Sequence, residues 1–210
     1  MSIGVQSFNT EVRQMVGRLD TKETVLERLS ALKAYGQCSV VIDLIYGLPG
    51  QTMEVWEQDL ADLVSSGVDG ADLYQLNVFD GSDLNKDIAN GKVPAAATTA
   101  MQGEMFEFGR KYLDERSYRR LSAAHWSANN RERSLYNTLA KSGVSMFPFG
   151  SGAGGNVDGY GMMLHRALKP YEDMVTRGEK PFMALMKQSD LQPIVNQVVS
   201  QLEQGFLNIM

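Results

Sequence analysis

The chain has 210 residues, 43% of them hydrophobic, with 20 glycines and a formal net charge of −5, enough for one domain with a sizeable core. The acidic balance and the lack of clustered Lys and Arg exclude nucleic acid as the main partner. The single cysteine, Cys38, excludes a disulfide framework and any cysteine-rich metal or cluster site within the chain. No apolar stretch reaches the length of a membrane span, and the opening MSIGVQSFNTEVRQ lacks the basic and apolar regions of a leader, so no membrane span and a cytoplasmic setting are expected.

Residues 2–8, SIGVQSF, are short, alternating and β-branched, which predicts a strand, and Asn9 is placed to cap the helix after it. Asp20 followed by Glu23 has the form of a capping box. Val25, Leu29 and Leu32 then recur at helical spacing until Gly36 closes the segment. Residues 39–46, SVVIDLIY, are apolar almost throughout, as in a parallel strand covered on both faces. Thr52 can cap the next helix, in which Trp56, Leu60, Leu63 and Val64 share a face before Gly67. ADLYQLNVF, 71–79, reads as a third strand. This β-α-β-α-β order with helical crossovers predicts a parallel α/β sheet or barrel.

The remainder is less regular. Residues 95–116 predict one long helix with Met101, Met105, Phe108 and Tyr112 on its core face. SYRRLSAAHW predicts a further strand, and RERSLYNTLAKSG a helix ended by Gly143. The glycine-rich FPFGSGAGGNVDGYG, 147–161, shows neither period. LQPIVNQVVSQLEQGFLNIM predicts an amphipathic helix with Ile194, Val198 and Leu202 in line. The organisation expected is an α/β part over 1–92 and a mostly helical extension over 93–210.

Ligands of parallel α/β folds sit at the C-terminal ends of the strands, so Gln6 and Asp43, read as polar residues late in otherwise apolar strands, are candidates to face one. Asp43 can accept from a ribose hydroxyl or an amine, or it can pair with a buried arginine. Gly47-Leu48-Pro49-Gly50 allows a sharp turn and close backbone approach to a ligand.

Taken in order, GVQSFN with a following GR, then DLIYGLPGQT and a Trp-containing acidic helix, resemble the oxygen-independent coproporphyrinogen III oxidase family of radical S-adenosylmethionine (SAM) enzymes over about residues 2–80. The resemblance implies the C-terminal half of a partial (β/α)6 barrel, about three parallel strands with helices, then a mixed α+β extension. It also implies that Gln6, Arg18 and Asp43 contact SAM, with Arg18 suited to the SAM carboxylate. Beyond residue 80, HWSANNRERSLYN and PFGSGAGGNVDGYGMM are more similar to the anaerobic heme-degrading methyltransferase branch. That branch implies a heme or related tetrapyrrole substrate, opening of the macrocycle with methyl transfer and iron release, and an electron donor.

One departure stands out. The family holds a 4Fe-4S cluster on three cysteines in CxxxCxxC, and here only Cys38 exists, read as a small buried residue. The expectation is that residues 1–210 are a piece of a longer enzyme and, alone, do not cleave SAM reductively. His125 and His165 are the only imidazoles and the candidates for axial heme ligation. Arg166, with Arg131 and Arg133, is a candidate for heme propionates, against a solvated charge run. Tyr46 and Trp126 read as packing. The glycine-rich loop either presents N–H groups to an anion or turns tightly. The alternatives to the heme-opening enzyme are porphyrinogen decarboxylation, a heme-binding or trafficking module, and an inert α/β piece that forms a homo-oligomer through an exposed edge and apolar face.

Overall fold

The computed structural model describes residues 1–209, and the chain divides into two compact units, Met1–Arg133 and the segment from Ser134 onward. The first unit alternates strands and helices: β1 (Ser2–Gln6), α1 (Thr10–Met15), α2 (Lys22–Tyr35), β2 (Val41–Tyr46), α3 (Met53–Ser66) and β3 (Gly70–Gln75). These are followed by α4 (Asp83–Ala89), α5 (Thr99–Asp114), β4 (Arg119–Arg120) and β5 (His125–Ser127). The sheet order is β1-β2-β3-β5-β4; β1, β2 and β3 are parallel, and β5 runs antiparallel to β3 and β4. The stretch read as one strand, SYRRLSAAHW, is thus two short strands joined by a turn.

Local chemistry sets the helix ends. Asn9, Thr21, Thr52, Ser82 and Thr98 each accept from a backbone N–H of the first turn they precede, satisfying donors that the helix cannot. Thr21, not Asp20, caps α2; Asp20 instead pairs with Arg28 at 2.5 Å. Gly36 and Gly67 end α2 and α3 with φ of 70° and 61°, a left-handed conformation that costs any other residue a Cβ clash.

Helices α2, α3 and α5 cover one face of the sheet. Val25, Leu29, Trp56, Leu60, Leu63, Met105 and Leu113 pack there with Ile42, Leu44, Ala71, Leu73 and Trp126, all buried. Full burial of such side chains is worth roughly 1.5–3 kcal/mol apiece. Trp56 Nε1 donates to the Met105 carbonyl at 2.8 Å, tying α3 to α5. Because α5 and the β4–β5 hairpin belong to this core, the first unit runs to Arg133 and not to the 92/93 boundary of the sequence reading. The opposite face is not the apolar surface expected. It carries Ser2, Asp43, Asp72, Tyr74 and His125 beside Ile45.

The second unit holds α6 (Leu135–Lys141), β6 (Gly154–Val157), β7 (Tyr160–Leu164), α7 (Leu168–Thr176), β8 (Phe182–Lys187) and α8 (Gln192–Glu203), with an antiparallel sheet β6-β7-β8. The glycine-rich stretch contains a hairpin that its composition concealed. Asp158 and Gly159, at φ of 49° and 75°, make the two-residue turn between Val157 and Tyr160. Ile194, Val198 and Leu202 share a side of α8 but remain exposed.

Candidate functional site

Gln6, the last residue of β1, has φ of 72°, a conformation that disfavours any residue with a Cβ. The register of β1 on β2 slips here: Gly4 opposes Asp43, and Gln6 opposes Leu44. The bulge turns the Gln6 side chain back over Gly4. A Cβ at Gly4 would lie 2.5 Å from Gln6 Nε2 and 3.5 Å from Arg18 Nη2. Gly4 is therefore the floor over which the amide and the guanidinium meet, with Asp43 beside it in register. The three residues assigned to SAM by resemblance gather at one patch at the edge of the sheet. Arg18 is exposed there and also lines a cleft of about 500 Å³ along β1 with Ile3, Val5, Arg13 and Leu29.

Asp43 lies in the middle of β2, short of its end. It accepts from Ser2 Oγ at 2.9 Å and pairs with no buried arginine; the buried arginine, Arg13, donates to the carbonyls of Val5, Ser7 and Asp20. Burial raises the Asp43 pKa, the Ser2 bond opposes this, and Asp72 raises it further while His125 offsets. Asp72 stands next to it in register on β3 and His125 opposite Asp72 on β5. His125 Nδ1 lies 2.8 Å from Asp72 Oδ1 and Nε2 3.5 Å from Glu132 Oε1. Burial alone would lower the His125 pKa; Asp72 and Glu132 outweigh it, and the ring titrates above its usual range. Tyr74, on the same face, is pushed up to about 12 by burial and by Asp72 and Asp43.

The rim at the strand ends is organised by a residue that sequence reasoning missed. Asp59 of α3, 1% exposed, accepts from Ser7 Oγ (2.9 and 2.8 Å), Phe8 N (2.7 Å), Asn9 N (3.3 Å) and Gln51 Nε2 (3.0 Å). Gln51 Oε1 in turn accepts from Gly47 N and Leu48 N. One carboxylate thus ties the loop after β1 to the Gly47–Gln51 turn after β2. The signal was present as an acidic residue on the apolar side of an amphipathic helix. Gly47, at φ of 89°, is approached by Gln102 of α5, whose amide nitrogen would lie 2.6 Å from a Cβ there. The close approach read as room for a ligand is made by a side chain.

The remaining candidates lie elsewhere. His125 is 4% exposed with both nitrogens turned to carboxylates, a setting that does not suit axial heme ligation. His165 and Arg166 belong to the second unit, where the His165 carbonyl accepts from Gly152 N and Ser151 Oγ. The Gly152 and Ala153 N–H groups are spent on His165 and Gly150 carbonyls, which supports the tight-turn reading of the loop. Arg131 donates to the carbonyls of Gly36 and Cys38. Cys38 is exposed, not buried as expected, because it sits in the turn between α2 and β2, outside the core. Tyr46 and Trp126 pack as expected, in an aromatic cluster with Trp56 and Phe106.

Fold and site together define an α/β protein that gathers polar groups over one face and one rim of a largely parallel sheet. Residues 1–63 match the model of the Radical SAM superfamily. The chain is 38% identical over 189 residues to the anaerobilin synthase of Escherichia coli O157:H7, covering 90% of this chain and 42% of that protein. It is 28% identical over 161 residues to the heme chaperone HemW of Lactococcus lactis, covering 76% and 41%. Its fold matches that of coproporphyrinogen III oxidase (HemN) from Escherichia coli with a TM-score of 0.80 at 20% identity, over 97% of this chain and 49% of that one. The chain belongs to the radical SAM superfamily, and it spans less than half the length of these relatives.

Proposed function

We propose that this chain supplies the SAM-holding side of a radical SAM enzyme that acts on heme, opening the porphyrin with methyl transfer and iron release, within the C-terminal half of a (β/α)6 barrel. The observation that carries the SAM assignment is the meeting of Gln6, Arg18 and Asp43 around Gly4. The likeness to anaerobilin synthase over 90% of the chain supports heme over other substrates.

The superfamily implies SAM and a 4Fe-4S cluster, and this chain fits the two differently. The glycine-floored patch, with a cation, a carboxylate and an amide around it, suits SAM, which carries a carboxylate, an ammonium and a ribose. For the cluster, three thiolates are needed, the chain has Cys38 alone, and no group of three or more His, Cys, Asp or Glu among the described residues is placed to hold a metal. This chain's residues do not fit the cluster, and the roles left to them are those of holding SAM.

When bound, SAM supplies the group from which the superfamily's radical chemistry starts. Arg18 offers charge-assisted hydrogen bonds to a carboxylate, Asp43 accepts from ammonium or hydroxyl donors, and the strained Gln6 backbone aims an amide able to donate and accept. Strain held at a ligand-facing residue is what pre-organisation looks like in a backbone. The test is calorimetric titration of the chain with SAM and with S-adenosylhomocysteine, in wild type, R18A and D43N. Binding weakened at least about tenfold in each variant is expected, since a charge-assisted bond contributes roughly 1.5–3 kcal/mol. Unchanged affinity in both variants overturns the assignment.

A further inference from the structure

Five titratable groups crowd the face of the sheet opposite the helices. Asp43 and Asp72 are direct register partners on parallel strands, which places their backbones about 4.8 Å apart, with both side chains on the same face. A negative charge on Asp72 therefore disfavours one on Asp43. His125 stands on the far side of Asp72, its Nδ1 at 2.8 Å, and its Nε2 is aimed at Glu132 from the segment after β5. The titratable groups facing this row are Asp43 from β2, Asp72 and Tyr74 from β3, His125 from β5 and Glu132, with the Ser2 hydroxyl from β1. Among these groups the imidazole is the sole base.

We infer that His125 is a positioning residue: fixed between Asp72 and Glu132, it offsets the charge that Asp72 sets beside Asp43 and so leaves Asp43 a carboxylate for a ligand on this face. Only the last clause rests on the SAM reading above. Asp72 contributes the repulsion and His125 the compensation, so removing either shifts Asp43 in opposite directions.

The experiment follows the Asp43 carboxyl carbon and the His125 ring by NMR through a pH titration of the chain in wild type, H125Q and D72N. In H125Q the Asp43 midpoint is expected to rise by about one pH unit, and in D72N to fall, the scale being that of a neighbouring charge gained or lost. The His125 midpoint is expected above that of free imidazole in wild type and lower in D72N. Loss of fold would send Asp43 to the same unstructured value in both variants, so it cannot mimic opposite shifts. If H125Q does not fold, D72N still decides once its amide spectrum shows the dispersion of the folded chain, because unfolding alone would also lower the Asp43 midpoint. An Asp43 midpoint unmoved in D72N, or a wild-type His125 titrating at or below free imidazole, overturns the inference. A parallel SAM titration separates the two readings: the pH below which binding weakens is expected to move up in H125Q with the Asp43 midpoint. If the midpoint moves and SAM binding ignores it, the counter-charge stands and the assignment of Asp43 to SAM falls.

Discussion

Replacing Asp59 by alanine is expected to loosen both rim loops at once, and the cost can be worked from its bonds. In D59A the buried N–H of Phe8 and the hydroxyl of Ser7 lose their acceptor, while Gln51 keeps its bond to the Ile45 carbonyl at 3.2 Å. Each orphaned buried donor costs about 1–3 kcal/mol. With the void left by the carboxyl, the sum comes to about 3–5 kcal/mol, a large part of the roughly 5–15 kcal/mol that holds a domain folded. D59N keeps one acceptor oxygen and should lose about half as much. The assay is urea unfolding followed by tryptophan fluorescence, because both tryptophans of the chain, Trp56 and Trp126, lie in the core of the first unit. A loss below about 1 kcal/mol in D59A would show that Asp59 is a bystander, because that is no more than a surface change costs.

Other substitutions probe the remaining features. Q6G should stabilise the first unit by about 1 kcal/mol, because glycine adopts φ of 72° without strain; the same urea assay reads it, and SAM affinity should fall. G109A should destabilise by about 1–3 kcal/mol, since its Cβ would lie 3.2 Å from both Leu73 Cδ1 and Trp56 Cζ2 in the packed core; equal stability to wild type would refute so tight a contact. G159A, at φ of 75° in the hairpin turn of the second unit, should cost about 1 kcal/mol, read by the loss of hydrogen-exchange protection across β6 and β7. The contribution of His125 to stability depends on pH with a definite sign. Its folded pKa is raised, so the stabilisation is complete below the unfolded value of about 6.5 and fades as pH rises through the folded one. The stability gap between wild type and H125Q should therefore be wider at low pH than at high, and a gap that widens with pH would contradict the ion-pair geometry.

Much of the first unit was legible because its signals are local. Thr52 and Gly67 bracket α3 with side-chain and backbone chemistry that needs no distant partner, and the apolar positions between them repeat at helical spacing. The family motifs likewise marked Gln6, Arg18 and Asp43, and the fold brings the three together. What could not be read depends on contacts across sequence. Nothing near Asp59 shows that four donors from two loops converge on it from as far as 52 residues away. His125 looked like a lone imidazole because Asp72 lies 53 positions earlier, and only strand pairing puts them side by side. The Asp158-Gly159 turn is different. Its chemistry was in plain view, and the surrounding glycines masked the strands it joins by removing the alternation that marks them.

The direction of β5 governs which acids reach the inner face. A parallel strand after β3 would deliver the chain that follows it to the rim where Gln6 and the Gly47–Gln51 turn stand. Running antiparallel, β5 delivers it to the other rim, where Ala128 N bonds the Asp69 carbonyl, Asn129 the Asp69 carboxylate, and Ser39 Oγ donates to Glu132 at 3.1 Å. Glu132 therefore comes up to His125 from that rim, while Gln6, Arg18 and Asp43 meet around Gly4 at the sheet edge. The reversal of one three-residue strand thus places the acid that faces His125 at the opposite rim from the loops that Asp59 ties together.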